Sequence, residues 1–303
     1  YSLPFASLPS KTELLYKYLF LLYDKYNKKH EYVRKDSVMF NFFIIMDENL
    51  GNTIARHFSS KYLNYTINFI ISKEFPSFSD FPDFSLVLCD LDQNIELAKK
   101  YNLPAIAFSH ENNKQETLMG TPWMILDADA LSPFFLREVY CRHHHIPLMI
   151  TTTSRCTIRE LTVKQLPKLL LLQKENKNNP SGCFFPQNCC TTVAAETFLL
   201  DYIKNQYSFY GYGIYGIFKK TDDAFLGIAG FSPLENTEDY YVEIGYSILK
   251  EWQRQGFASE ALPALLHFEK EYLRFTEVIT RIEKENIVSI RLAKKNLLRI
   301  ITI

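Results

Sequence analysis

The alternation of apolar and polar positions divides this chain into two stretches with different rhythms. Near the front, Ser10-Lys11-Thr12-Glu13 has the form of a capping box before an apolar-rich run, and predicts a helix to about Lys28. Met39 to Met46 is a short apolar run of strand type, Asn49 to Ser59 a helical one, and Ile67 to Ile71 a further strand. From residue 85 the pattern is regular. Ser85-Leu86-Val87-Leu88-Cys89-Asp90 reads as a buried strand, Asp92 to Tyr101 as a helix, Pro104 to Phe108 and Trp123 to Leu126 as strands, and Ser132 to Arg142 as a helix. Strands alternating with helices predict a parallel, Rossmann-like α/β sheet over about residues 1–150. Pro147 and the run Thr151-Thr152-Thr153 mark an extended connection.

The second stretch is richer in strands. Its pattern predicts strand 155–160, helices 163–175 and 193–205, strand 212–219, a turn at Thr221-Asp222-Asp223, and strands 225–231 and 241–249. Helix 259–272, strand 277–282 and helix 286–296 follow. Between 249 and 259 the chain reads Gln253-Arg254-Gln255-Gly256-Phe257-Ala258. A strand, a tight turn and a helix start make an anion site. The first-turn N–H groups have no helical partner, the helix dipole favours negative charge, and a glycine lets the backbone approach the ligand. Alone, such a turn also suits an ordinary strand-to-helix loop.

That turn, Q-x-x-G-x-A, resembles the acetyl-coenzyme A signature of the GNAT superfamily of N-acetyltransferases. Its flanks extend the resemblance. Glu243-Ile244-Gly245-Tyr246 is similar to the family's fourth strand, and Ser259-Glu260-Ala261-Leu262 to its third helix. Glu285-Asn286 with Ser289-Ile290-Arg291-Leu292 is similar to the N-x-x-S-x-x-L segment of the next helix. Ser154-Arg155 and Ile158-Arg159-Glu160-Leu161 resemble the opening strand of the branch that modifies ribosomal-protein N-termini. The resemblance covers about residues 151–296. It implies an acyl-CoA N-acyltransferase fold over 151–303, with a mixed, mostly antiparallel sheet. The preceding domain, 1–150, somewhat resembles a degenerate haloacid-dehalogenase-like domain.

The resemblance implies acetyl-CoA as cosubstrate and a primary amine as acceptor, either a protein N-terminus or a small amine. Coenzyme A anchoring falls to the backbone N–H groups of Arg254, Gln255, Gly256, Phe257, Ala258 and Ser259, with the Gln253 and Arg254 side chains near the phosphates. Ile248 would bond the pantetheine arm through its backbone and polarise the thioester carbonyl. Asn286 and Ser289 would flank the pantetheine and thiol end. Glu243 is the candidate general base, against the simpler reading of a paired strand carboxylate. Glu235, Glu238 and Asp239 suit attraction of a cationic acceptor, or plain solvation. The family's tyrosine acid on the last helix corresponds to Ala293 here, so either another group donates the proton or water does. Tyr210, Tyr212 and Tyr215 could line the acceptor pocket, although aromatic packing around the glycine bends is the favoured reading.

The bulk properties exclude more than they select. The chain has 303 residues, with 34 basic and 34 acidic side chains. Zero net charge gives no support for a nucleic-acid or anionic-membrane partner. Six scattered cysteines without a C-x-x-C pair, and no signal-peptide pattern, point to reduced thiols and a cytoplasmic location. Tyr18 to Tyr23 and Val38 to Met46 fall short of the ~20 apolar residues that span a bilayer. His143-His144-His145 invites a metal, but three consecutive side chains converge poorly and a polar helix end is simpler, so no metal is expected. Asp90-x-Asp92 resembles a phosphatase D-x-D, but capping of the following helix is the simpler role.

The family pattern continues past residue 296 with a Gly-Phe turn and two more strands, whereas here Asn296 to Ile303 can supply one. This implies a shortened acceptor side and an exposed sheet edge, which dimerisation could cover. The competing reading is a non-catalytic acyl-CoA-binding or interaction protein that retains the fold.

Overall fold

The structure is a computed structural model that describes residues 39–77, 81–177, 182–186, 189, 191–234 and 241–303. The helix expected over 10–28 lies outside the described residues, as do Glu235, Glu238 and Asp239. The chain divides into two compact units, Tyr1–Ile146 and Pro147–Ile303.

The first unit is built on five parallel strands: β1 (Phe40–Ile45), β2 (Ile67–Ser72), β3 (Ser85–Cys89), β4 (Ala105–Phe108) and β5 (Met124–Ile125), in the order β2-β1-β3-β4-β5. Helix α1 (Glu48–Lys61) connects β1 to β2, α2 (Asp92–Lys100) connects β3 to β4, and α3 (Pro133–His143) follows β5. Phe42, Phe43, Ile44 and Ile45 are all buried, as are Leu86, Val87, Leu88 and Cys89. Unbroken apolar runs are what strands covered on both faces require.

Asp90 and Asp92 do not cap α2. Its N-cap is Leu91, without a side-chain cap bond. Asp92 instead accepts from Thr117 N (2.9 Å) and Leu118 N (2.7 Å), and Asp90 pairs with His110 Nε2 at 3.1 Å. Both carboxylates therefore fasten the loop after β4. His143 Nε2 lies 3.1 Å from the Asn102 carbonyl oxygen. Among the described residues no group of three metal-capable side chains converges. No helix among them is long and apolar enough to cross a membrane.

The second unit holds a seven-stranded sheet in strictly sequential order. Its strands are β6 (Met149–Thr152), β7 (Cys156–Arg159), β8 (Ile214–Lys219), β9 (Phe225–Pro233), β10 (Tyr241–Ile248), β11 (Glu277–Ile282) and β12 (Arg299–Thr302). Pairing is antiparallel from β6 to β10, and parallel between β10 and β11 and between β11 and β12. The threonine run read as an extended connection thus contributes β6, and the tail contributes β12. Both pair without any strong periodicity of their own, because a neighbouring strand supplies their hydrogen bonds.

Helices α4 (Leu166–Glu175) and α5 (Thr192–Asp201) cover one face. Leu166, Leu169, Leu172, Ala195 and Leu199 from them pack with Phe218, Phe225 and Ile228 from the sheet. Two tyrosines tie the end of α5 to the sheet. Tyr207 Oη accepts from Leu161 N (3.1 Å) and donates to Ile214 O (2.6 Å), and Tyr202 Oη accepts from Ile214 N at 2.7 Å. Burial pushes both phenols up. Helix α6 (Phe257–Phe268) packs along β6, β7, β9 and β10. Helix α7 (Ile287–Lys295) links β11 to β12. Gly227 (φ +155°) is required where β9 meets β10, because a Cβ there would stand 2.1 Å from the Ser247 carbonyl oxygen.

Candidate functional site

The site begins with a failure of pairing. Strand β10 follows β9 from Val242 to Ile248, but it follows β11 only over Tyr241, Val242 and Glu243. Beyond Glu243 the parallel strands part. Leu249 N donates to Leu226 O at 2.9 Å. By the alternation of an antiparallel ladder, residues 243, 245 and 247 also bond towards β9. The backbone groups of Ile244, Tyr246 and Ile248 therefore face the gap where β11 has left. The Ile248 carbonyl accepts from Gln253 Nε2 at 2.8 Å, and its N–H faces the opening.

A turn and helix close the far end of this gap. Lys250–Trp252 form one tight helical turn, Arg254 takes a left-handed φ of 60°, and Gly256, at φ 83°, precedes α6. The first return bond of α6 runs from Glu260 N to Gly256 O. The N–H groups of Phe257, Ala258 and Ser259 thus form the open first turn, with no helix carbonyl to accept them. Gln253 is committed to Ile248, and Gln255 Nε2 donates to Glu251 O at 3.0 Å. The two glutamine side chains shape the turn, and the anion-facing donors are backbone. Among the described residues, the Arg254 side chain shows no such commitment.

A second layer fixes the turn, and the sequence did not reveal it. Arg155 donates from Nη2 to Gln255 O (2.9 Å), and its guanidinium lies 4.5 Å from the centroid of the Phe257 ring. Glu260 receives Thr153 Oγ1 (2.8 Å), Ser154 Oγ (3.0 Å), Arg155 N (3.2 Å) and Arg155 Nε. Burial alone would raise this carboxyl. The bonds from Thr153, Arg155 and Ser154 outweigh it and hold the carboxyl down at about 2. A carboxylate in the first turn would compete with a bound anion, and its donors neutralise that competition.

On the face covered by α4 and α5 lies a cavity of about 430 Å³. Glu243, Gly245 and Ser247 of β10 line it, with Ser232 of β9, Tyr202, Gln206, Cys183 and Arg281 around them. A Cβ built on Gly245 meets nothing within 4 Å, so this glycine leaves the floor bare. Such a glycine inside a strand is where a ligand can approach closely. Asn176 Nδ2 donates to Ser247 Oγ at 3.0 Å beside it.

Glu243 sits at the last pair before the strands part. Its Oε2 accepts Arg281 Nε (2.9 Å) and Nη2 (2.7 Å), and its Oε1 accepts only Arg281 N at 3.2 Å. The guanidinium orients the carboxylate, and Oε1 keeps acceptor capacity. Asn286 caps α7 by accepting Ser289 N at 3.1 Å, so its side-chain oxygen positions the helix start. The Tyr246 hydroxyl is buried beside the Ser289 side chain, in a contact outside good hydrogen-bond geometry; burial pushes the phenol up and the Ser289 contact works against that shift. Ala293, at the position of the absent acid, is buried.

Tyr210, Tyr212 and Tyr215 do not line the pocket, in keeping with the packing reading. Tyr215 stacks on Tyr207 in the core, Tyr212 packs edge-on to Phe275, and Tyr210 is exposed. Tyr202 and Tyr246 take that place instead. For Tyr246 the signal was available in the motif itself, since it directly follows Gly245. For Arg281 and Arg155 only the pairing register brings them to the site.

Residues 155–297 match the family model described as acetyltransferase (GNAT) domain. Among solved structures, the chain is similar to a GNAT-family acetyltransferase from Bacillus anthracis. Identity is 21%, covering 48% of this chain and 80% of that one, with a TM-score of 0.39. It is also similar to an acetyltransferase from Salmonella typhimurium that modifies the N-terminal serine of ribosomal protein L7/L12, at 20% identity, 49% and 83% coverage and a TM-score of 0.40. A third is a ribosomal L7/L12 α-N-protein acetyltransferase in complex with coenzyme A, at 21% identity, 49% and 82% coverage and a TM-score of 0.42.

Proposed function

We propose that the second unit of this chain, which carries a GNAT acetyltransferase domain over residues 155–297, transfers an acetyl group from acetyl-CoA directly to a primary amine in a ternary complex. The observation that carries this reading is the alignment of three features along one path. An open helix N-terminus at Phe257–Ser259 lies at one end, the unpaired edge of β10 in the middle, and the cavity over Gly245 at the other.

In this reading the N–H groups of Phe257, Ala258 and Ser259 take the pyrophosphate, with the Arg254 side chain beside it. The pantetheine arm extends along β10 as an added strand would, bonding the free edge at Ile248 and Tyr246. A backbone N–H on that edge polarises the thioester carbonyl and stabilises the oxyanion that forms when the amine attacks. Ser289, at the start of α7, borders the thiol end. The amine approaches through the cavity over Gly245. Glu243 Oε1 takes the proton that the nitrogen sheds, while Arg281 holds Oε2 in place. The acceptor is an exposed protein N-terminus or a small amine of similar reach, and the reaction runs in the cytoplasm.

The test is calorimetric titration of acetyl-CoA into the purified chain, with G256E as control. At φ 83° and 3.2 Å from Arg155, a side chain at 256 distorts the turn, and its charge opposes a phosphate. Binding that is lost in the variant, with folding retained by circular dichroism, supports the site. Absence of binding in the unaltered chain refutes it.

A further inference from the structure

The acetyl-transfer reading leaves a gap: a thiolate leaves, and the position expected to protonate it is Ala293, which has no proton to give. Resting on that reading, we infer that the Tyr246 hydroxyl supplies this proton, from the strand wall of the splay.

Three observations converge on Tyr246. It lies on β10 beyond the last pair with β11, in the stretch whose edge faces the gap. It borders the cavity that Glu243 and Gly245 also line. Its hydroxyl is shielded from solvent, and its one polar contact among the described residues, with the Ser289 side chain, falls outside good hydrogen-bond geometry. A buried hydroxyl without a well-made hydrogen bond is rare and destabilising. That cost is explained if the partner is a ligand atom. The polar side chain next to it is Ser289, at the start of α7. Two independent lines therefore meet at one place: the motif assigns Ser289 to the thiol end, and the packing sets a phenol without a well-made hydrogen bond beside it. Burial pushes this phenol up, which keeps it protonated at neutral pH and ready to donate.

The step balances as follows. The amine nitrogen bonds to the carbonyl carbon and loses its extra proton to Glu243 Oε1. The carbon–sulfur bond breaks, and the electron pair remains on sulfur. The Tyr246 proton passes to that sulfur, giving coenzyme A as the thiol. The phenolate recovers a proton from water through Ser289 Oγ. No oxidant or further reactant enters.

The test compares the unaltered chain with Y246F, which removes a single oxygen whose only polar contact among the described residues is with Ser289. Calorimetry measures affinity for coenzyme A, acetyl-CoA and desulfo-coenzyme A. The ultraviolet absorbance of the thiolate follows the titration of bound coenzyme A. Turnover is read as thiol release with a peptide bearing a free N-terminal serine. A positioned acid contributes about 10²–10⁴-fold, so Y246F should cut kcat about a hundredfold or more with KM for acetyl-CoA nearly unchanged. The bound thiol should titrate about one pH unit higher in the variant, because the donor that favours the thiolate is gone. Desulfo-coenzyme A, which lacks the sulfur, should bind both proteins equally. Equal thiol titration and turnover within about threefold would overturn the role of Tyr246 while leaving acetyl transfer standing. A loss of stability in Y246F without any change in thiol titration would likewise overturn it, by showing that the hydroxyl serves packing. Failure of the unaltered chain to bind acetyl-CoA would overturn both readings together.

Discussion

Replacing Glu260 by glutamine isolates the layer that holds the pyrophosphate turn. The Glu260 carboxyl falls from 4.5 to about 2 in the folded chain. That difference of 2.5 units, at about 1.36 kcal/mol each, sets a ceiling of about 3.4 kcal/mol. The side chain is 22% exposed, and water screens what it touches. Glutamine also retains some of the donors, so the expected loss is about 1–2 kcal/mol. The sign follows from the depressed value. The stabilisation is complete above the unfolded value near 4.5 and disappears as pH falls from there to about 2. The assay is urea unfolding in a Trp123→Phe background. Trp252, which lies 6.3 Å from the Phe257 ring, then reports on the second unit alone. At pH 6 the Glu260 protein should exceed E260Q by that margin. The gap should be about half as large near pH 3 and close near pH 2. A gap that stays constant from pH 6 to pH 3, or is absent at pH 6, would refute the assignment of the shift to these four donors.

Other substitutions probe the remaining parts. E243Q should lower kcat by about 10²-fold or more without altering the Kd for acetyl-CoA, as read by steady-state kinetics beside calorimetry; an unchanged rate would remove Glu243 from the proton path. Gly245→Leu should fill the cavity floor, raising KM for the amine or abolishing turnover while thermal stability holds, since nothing stands within 4 Å of the new Cβ. Tyr207→Phe removes two bonds from a fully buried hydroxyl and should cost about 1–3 kcal/mol in urea unfolding, with acetyl-CoA affinity unaffected in the folded protein. Leu169→Ala, in the layer under α4, should cost about 2–5 kcal/mol in the same assay.

The legible and illegible parts of this chain differ by the range of the forces behind them. The buried strands at 85–89 and 241–248 could be read because apolar runs report burial locally. The turn at 253–258 could be read because a short glycine-bearing pattern between a strand and a helix is a local signature. β6 and β12 were harder, since their pairing is provided by β7 and β11. Asp92 looked like a cap by proximity, yet its partners Thr117 and Leu118 come from a loop 25 and 26 residues away, beyond any local rule. The same holds for the site. Glu243 was visible in the strand motif, but the guanidinium that orients it comes from Arg281, 38 residues on. The role suggested for Tyr210, Tyr212 and Tyr215 fell to Tyr202 and Tyr246, because ring packing against Tyr207 and Phe275 decided which aromatics reach the cavity.

Only three ladder pairs join β10 to β11, beside the Glu243–Arg281 ion pair, and β11, α7 and β12 all follow that short seam in the chain. The sheet of the second unit is like a book with a narrow binding, and a ligand lying in the open fold would touch both leaves. Its binding energy then doubles as cohesion between them: at a hundred times Kd it is worth about 2.7 kcal/mol to the bound form. Amide exchange along 277–302 should therefore slow on addition of coenzyme A well beyond the residues it contacts. The later leaf would be as ordered as the supply of its ligand allows.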